Sequence, residues 1–160
     1  MTIELYHGSH SRVSQILDST PSVYIDFHGV FASCIKEEAL SHGKILHKIL
    51  LNESEILTQY DLSYDIEYKK VTQIIAEYLE LTDENLIEQI YDHVLYFGDI
   101  QQEYSQEIIK AMRAEQDSVD WEMQALRGII AKKLGYKAVE MRDEHGETYL
   151  VNSSAEIIEV

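Results

Sequence analysis

Three carboxylates, Asp143, Glu144 and Glu147, crowd around Gly146, where one extended segment turns back into the next. A carboxylate fixed between two strands can stabilise positive charge that develops on a reacting group. It can also orient or deprotonate an acceptor. A second feature stands at the other end of the chain, where Tyr6-His7-Gly8-Ser9 follows the alternating segment Thr2 to Tyr6. A glycine directly after a histidine at a strand end lets the backbone approach a ligand closely. The Gly8 backbone can then face a flat amide, and the His7 imidazole can hydrogen-bond a hydroxyl. Each feature also has an ordinary reading, a solvated hairpin tip in one case and a plain turn in the other.

The elements that must position these residues follow from periodicity. Val119, Met123, Leu126, Ile130 and Leu134 form one apolar helical stripe. Asp117 or Ser118 suits its N-cap, Asp120 and Glu122 suit its positive end, and Lys132 and Lys133 suit its negative end. Gly135 suits the left-handed position that closes the helix. Two strands flanking the Asp143–Gly146 turn come next. Toward the N-terminus, Ser11 to Leu17 reads as a short helix and Val23-Tyr24-Ile25 as a short strand. Gly29 to Ser33 reads as extended, Lys36 to Ser41 as a helical turn or two, and Gly43 to Leu51 as a strand. The middle is helical: Ile66 to Leu79, a helix capped by Thr82 that runs to about Leu95, and Glu103 to Ala114.

The 160 residues suit one domain with a real core, and the net charge is −16. Residues 52–120 carry 17 acids and 4 bases, while the segments on either side are close to neutral. A polyanion repels the phosphate backbone, so direct nucleic-acid binding is not expected. A basic protein surface is the natural partner. The tyrosines of the middle, among them Tyr60, Tyr64, Tyr68, Tyr78, Tyr91, Tyr96 and Tyr104, suit both a core and an interface. No apolar run is long enough to span a bilayer and no leader is evident, so the expected location is the cytoplasm. Seven histidines show no metal-ligand spacing, and no metal is expected. The lone Cys34 excludes an internal disulfide and reads as a buried structural residue.

Three motifs, taken in order, resemble the ADP-ribosyltransferase superfamily in its diphtheria-toxin and poly-ADP-ribose-polymerase branch. Leu5-Tyr6-His7-Gly8-Ser9 is similar to the first. Gly29-Val30-Phe31-Ala32-Ser33, followed by Lys36 to Leu40, is similar to the second, with Phe31 where that branch has a stacking tyrosine. Asp143 to Tyr149 supplies an acid at or just before a strand, as in the third. A narrower resemblance rests on Trp121-Glu122-Met123-Gln124-Ala125-Leu126, Lys133-Leu134-Gly135-Tyr136, and Met141-Arg142-Asp143-Glu144-His145-Gly146 with Tyr149. These resemble the type I-F anti-CRISPR mono-ADP-ribosyltransferase family; the acidic middle matches in character alone.

The resemblance implies an α+β fold with two small sheets around an NAD cleft, within a single domain that carries an acidic helical insertion at about residues 58–117. It implies NAD as substrate. Tyr6, His7, Gly8, Ser9, Phe31 and Ser33 are then the cofactor-binding set, with His7 on the adenosine-side ribose, Gly8 on the nicotinamide amide and Phe31 on the ring. Asp143, Glu144 and Glu147 are the candidate acids. Asp143 matches the narrower family and Glu147 the wider superfamily. The implied partner is the subunit of the type I-F Cas surveillance complex that reads the short motif beside the DNA target. Because the chain is so acidic, Arg12, Lys36 or Arg142 must offset the NAD pyrophosphate locally. A non-enzymatic acidic DNA mimic, or an ADP-ribosylating toxin with another target, are the alternative readings.

Overall fold

The computed structural model describes residues 1–19, 26–65, 67–95, 103–143 and 146–160. Strand β1 (Thr2–Ser9) pairs antiparallel along its whole length with β3 (Ile45–Asn52), and β7 (Ile158–Glu159) adds to the far edge of β3. A second sheet has the order β2 (Val30–Ala32), β6 (Gly146–Val151), β5 (Ala138–Asp143), β4 (Ile56–Leu57). The expected β5–β6 hairpin is present, with Asp143 paired to Gly146. The Glu144 and His145 positions that join the strands lie outside the described residues, as does the expected strand Val23–Ile25.

Alternation along the strands divides the interior into two cores. Leu5, Ile49 and Leu51 of the first sheet meet Val30, Ala32, Ala138, Tyr149 and Val151 of the second. The opposite face of the second sheet presents Val139, Met141 and Leu150 to the helices. These are α2 (Tyr68–Leu79), α3 (Glu84–Val94), α4 (Gln106–Ala111) and the central α5 (Val119–Lys133). The described acidic side chains of the middle are exposed or half-buried, and its apolar ones turn inward. Val71, Ile75, Ile90, Val94 and Ile108 fill the larger core together with Met123, Leu126 and Ile130 of α5. Helix α5 lies so close on β6 that a Cβ at Gly128 would sit 2.5 Å from the Leu150 side chain.

The α5 stripe is as the periodicity demands, with Val119, Met123, Leu126 and Ile130 fully buried and Leu134 partly so. Gly135 (φ 90°) closes it, with Tyr136 N–H bonded to Ala131 C=O at 2.9 Å and Gly135 N–H to Lys132 C=O at 3.1 Å. Ser118 stands at the N-cap without a side-chain hydrogen bond to the helix.

Other elements depart from local propensity where a distant side chain competes for the backbone. Ser11 to Leu17 is not helical: Val13 N–H donates to His47 Nε2 at 2.9 Å and Ser11 N–H to Ser9 Oγ at 3.3 Å. The cap of α3 is Asp83 rather than Thr82; its carboxylate accepts from Asn85 and Leu86 N–H. Helix α2 begins at Tyr68, after a π-helical turn over Asp61–Asp65. Helix α4 is shorter than expected and stops at Ala111. The next free amides, of Arg113 and Ala114, donate to the carboxylate of Glu122 at 2.8 and 2.6 Å.

Glu122 is fully buried, so its carboxylate does more than complement a helix end. It terminates α4 and ties it to α5. Replacing Glu122 with Ala removes the acceptor of two part-buried N–H groups, and urea unfolding should show a loss of about 2 kcal/mol. Glu122→Gln, which retains one acceptor oxygen, should lose less.

Candidate active site

Where the two sheets meet, beneath a short helix α1 (Lys36–Ser41) and the first turn of α5, lies a cavity of about 160 Å³. Strand β1 contributes Tyr6 and Gly8 to its walls. Strand β2 and the residue after it contribute Phe31, Ala32 and Ser33. Glu38, Ala39 and His42 come from α1 and its end, Trp121 and Gln124 from α5, and Thr148 from β6. The enclosed space is smaller than the ~300–1,000 Å³ of a pocket that holds a drug-sized ligand. It suits one flat ring.

The walls are fixed by hydrogen bonds between the sheets, within the second sheet and to helix α1. Tyr6 and Ser33 form an isolated antiparallel bridge, with Tyr6 N–H to Ser33 C=O at 2.7 Å and Ser33 N–H to Tyr6 C=O at 2.9 Å. His7 Nδ1 lies 2.7 Å from Phe31 C=O; a carbonyl only accepts, so Nδ1 carries the proton. Thr148 Oγ1 donates to Ala32 C=O at 3.0 Å. The Ser33 hydroxyl donates to the Glu38 carboxylate at 2.6 Å and accepts from Ile35 N–H at 3.1 Å. Phe31 meets Phe27 edge-on at 5.0 Å, and Phe27 meets Trp121 in the same way at 6.2 Å. One wall is thus aromatic.

Of the residues singled out in the sequence, Tyr6, Gly8, Phe31 and Ser33 line the cavity. His7 and Ser9 do not appear among its described lining residues. The His7 ring packs toward His47, 6.0 Å away, and serves as a strut between β1 and β2. Glu147 is exposed and neighbours Cys34 and Tyr149 rather than the cavity. Asp143 ends β5 two ladder pairs beyond Met141, the partner of the cavity residue Thr148. Glu144 lies outside the described residues.

Cys34 is exposed, contrary to the expectation of a buried structural thiol. Partial desolvation pushes the thiol pKa up, and the charges of Glu147 and Glu38 add to this, while a hydrogen bond with Tyr149 opposes it. A raised thiol pKa makes a poor nucleophile.

Sequence reasoning missed Glu38, His42 and Thr148, and used Trp121 and Gln124 only for their resemblance. The spacing of Trp121 and Gln124 at i, i+3 puts both on one face of α5. That face was legible, but its orientation was not. Of the three candidate cations, Lys36 lies over a lining residue, its ammonium 5.0 Å from the Tyr6 ring centre. Arg12 is 3.0 Å from Glu159, and Arg142 lies opposite Glu147 in the β ladder.

Gly8 is required by packing. A Cβ placed there would lie 1.8 Å from the Ala39 carbonyl oxygen. Gly8→Ala must push α1 off the cavity; a loss of about 2 kcal/mol in unfolding free energy is expected, with a lowered melting temperature. His7 generates a pH prediction. Burial holds its pKa below the ordinary 6.5, the Phe31 carbonyl partly opposes this, and His47 and His42 reinforce it. Below pH 6.5 the unfolded chain therefore takes up the proton first. Stability present above 6.5 is lost on acidification toward the folded pKa. The urea midpoint should fall between pH 7 and 5.5, and less so in His7→Asn.

Comparison with known proteins agrees with this architecture. Residues 3–160 match the family described as anti-CRISPR type I-F ADP-ribosyltransferase AcrIF11. A solved structure described as the crystal structure of an anti-CRISPR protein superposes with a TM-score of 0.69 at 34% identity, covering 100% of this chain and 96% of that one. No curated protein matches. The chain, from β1 through the cavity to β7, belongs to the anti-CRISPR type I-F ADP-ribosyltransferase family.

Proposed function

We propose that the cavity receives the nicotinamide end of NAD, and that the chain transfers the ADP-ribose to a side chain of a Cas protein. The proposed target is the subunit of the type I-F surveillance complex that reads the short motif beside the DNA target. The convergence of Tyr6, Gly8, Phe31 and Ser33, from two different sheets, on one ring-sized cavity carries this reading. The residues suit the group. Phe31 and Trp121 offer aromatic faces, and the missing side chain of Gly8 leaves backbone at the wall. Lys36, beside Tyr6, can offset the pyrophosphate, which must lie outside so small a cavity. His7 Nε2 remains as an acceptor for a ribose hydroxyl once Nδ1 is committed to Phe31.

In this reading the glycosidic bond breaks with both of its electrons going to the ring nitrogen, and neutral nicotinamide leaves. The sugar becomes oxocarbenium-like. A fixed carboxylate stabilises it most in the transition state. Of the described acids, Asp143 is preferred over Glu147. Glu147 lies on the β6 face opposite to Thr148, which lines the cavity. The acidic outer surface of residues 52–120 is proposed to dock the basic target, and the added ADP-ribose phosphates then repel DNA.

Incubating the protein with NAD and the surveillance complex should raise the mass of one Cas subunit by one ADP-ribose and abolish DNA binding. Full inhibition in NAD-free buffer would instead support a DNA mimic. Asp143→Ala should abolish transfer while NAD affinity stays within a few-fold. A dead Glu147→Ala beside an active Asp143→Ala would reassign the acid.

A further inference from the structure

Glu38 is the one carboxylate among the described residues that line the cavity. Its placement is fixed through Ser33. Oε2 accepts from the Ser33 hydroxyl at 2.6 Å, and Ser33 is buried and held by the backbone bridge to Tyr6. Among the described residues no cation forms an ion pair with Glu38 and no further hydrogen bond to its Oε1 is present. Lys36, two residues earlier, lies over the Tyr6 ring instead. A negative charge thus stands at a cavity whose lining includes the apolar Phe31, Ala32, Ala39 and Trp121, and whose other ionisable lining groups are Tyr6 and His42. A partly enclosed charge favours an occupant of opposite sign, because the desolvation it suffers is then offset.

We infer that Glu38 is a specificity-determining residue that selects the cationic, oxidised nicotinamide ring over its neutral forms. The inference rests on the proposed placement of the nicotinamide in this cavity and adds what that placement does not require, a discrimination by charge. The pyridinium of NAD is positive, whereas the dihydropyridine of NADH and free nicotinamide are neutral. The carboxylate attracts the ring until the glycosidic bond breaks. The electron pair of that bond then neutralises the ring, and the attraction ends. Glu38 therefore acts on substrate choice and product exit, and the transition state is left to the acid at the β5–β6 hairpin.

The test is calorimetric titration of NAD and NADH into wild type and Glu38→Gln, whose amide oxygen can still accept the Ser33 hydroxyl. Wild type should bind NAD about tenfold more tightly than NADH, and the variant should bring the gap within about twofold by weakening NAD alone. Small probes extend the test. Cationic 1-methylnicotinamide should lose affinity in the variant, and neutral nicotinamide should not. If the variant keeps the full gap at an unchanged melting temperature, the role of Glu38 is overturned while the cavity assignment stands. If wild type binds neither dinucleotide, the cavity assignment fails and this inference with it. Glu38→Ala provides a second variant; a retained gap there overturns the role as well.

Discussion

Two backbone hydrogen bonds between Tyr6 and Ser33, with the His7–Phe31 bond beside them, join the two sheets in this region. Each bond contributes only about 1 kcal/mol net, but leaving buried amides unpaired costs more. The bridge sets the position of Gly8 relative to α1 and of Phe31 relative to α5. The His7–Phe31 bond is a further tie between the sheets, and the Thr148–Ala32 bond fixes β6 against β2 within the second sheet. A cavity walled by five elements thus keeps one shape, because its two sheets cannot slide past one another.

Charge is partitioned in the same way. The described acidic side chains of residues 52–120 are exposed or half-buried, while the inner faces of the helices there form the main core. Surface acids at that distance are screened by salt over about 10 Å, so they act weakly on a ligand in the cavity. The charged groups at the cavity itself are Glu38 in its wall and Lys36 over the Tyr6 ring. The ADP-ribosyltransferase family thus fits an acidic chain because the acidity faces elsewhere.

Helix α5 was legible from the sequence because its stripe, its basic last turn and Gly135 all point to the same element. The β5–β6 hairpin and strands β1 and β3 were legible for similar reasons. Ser11 to Leu17 was not, because His47, far along the chain, takes the Val13 amide. The end of α4 was not, because it depends on a carboxylate that propensity assigns to another helix. The lining of the candidate cavity was half legible. Tyr6, Gly8, Phe31 and Ser33 stand out through motif order, but Glu38 and His42 look like ordinary polar residues of a short helix. Only the packing of α1 against Gly8 turns them inward.

The most direct test uses Trp121, the only tryptophan of the chain, which lines the cavity. A ring stacked in that space must quench its fluorescence. Titration with NAD should give saturable quenching that excess nicotinamide reverses, and Phe31→Ala should weaken the binding without unfolding the protein. NAD binding seen by calorimetry with no change in Trp121 emission would place the dinucleotide elsewhere and contradict the account.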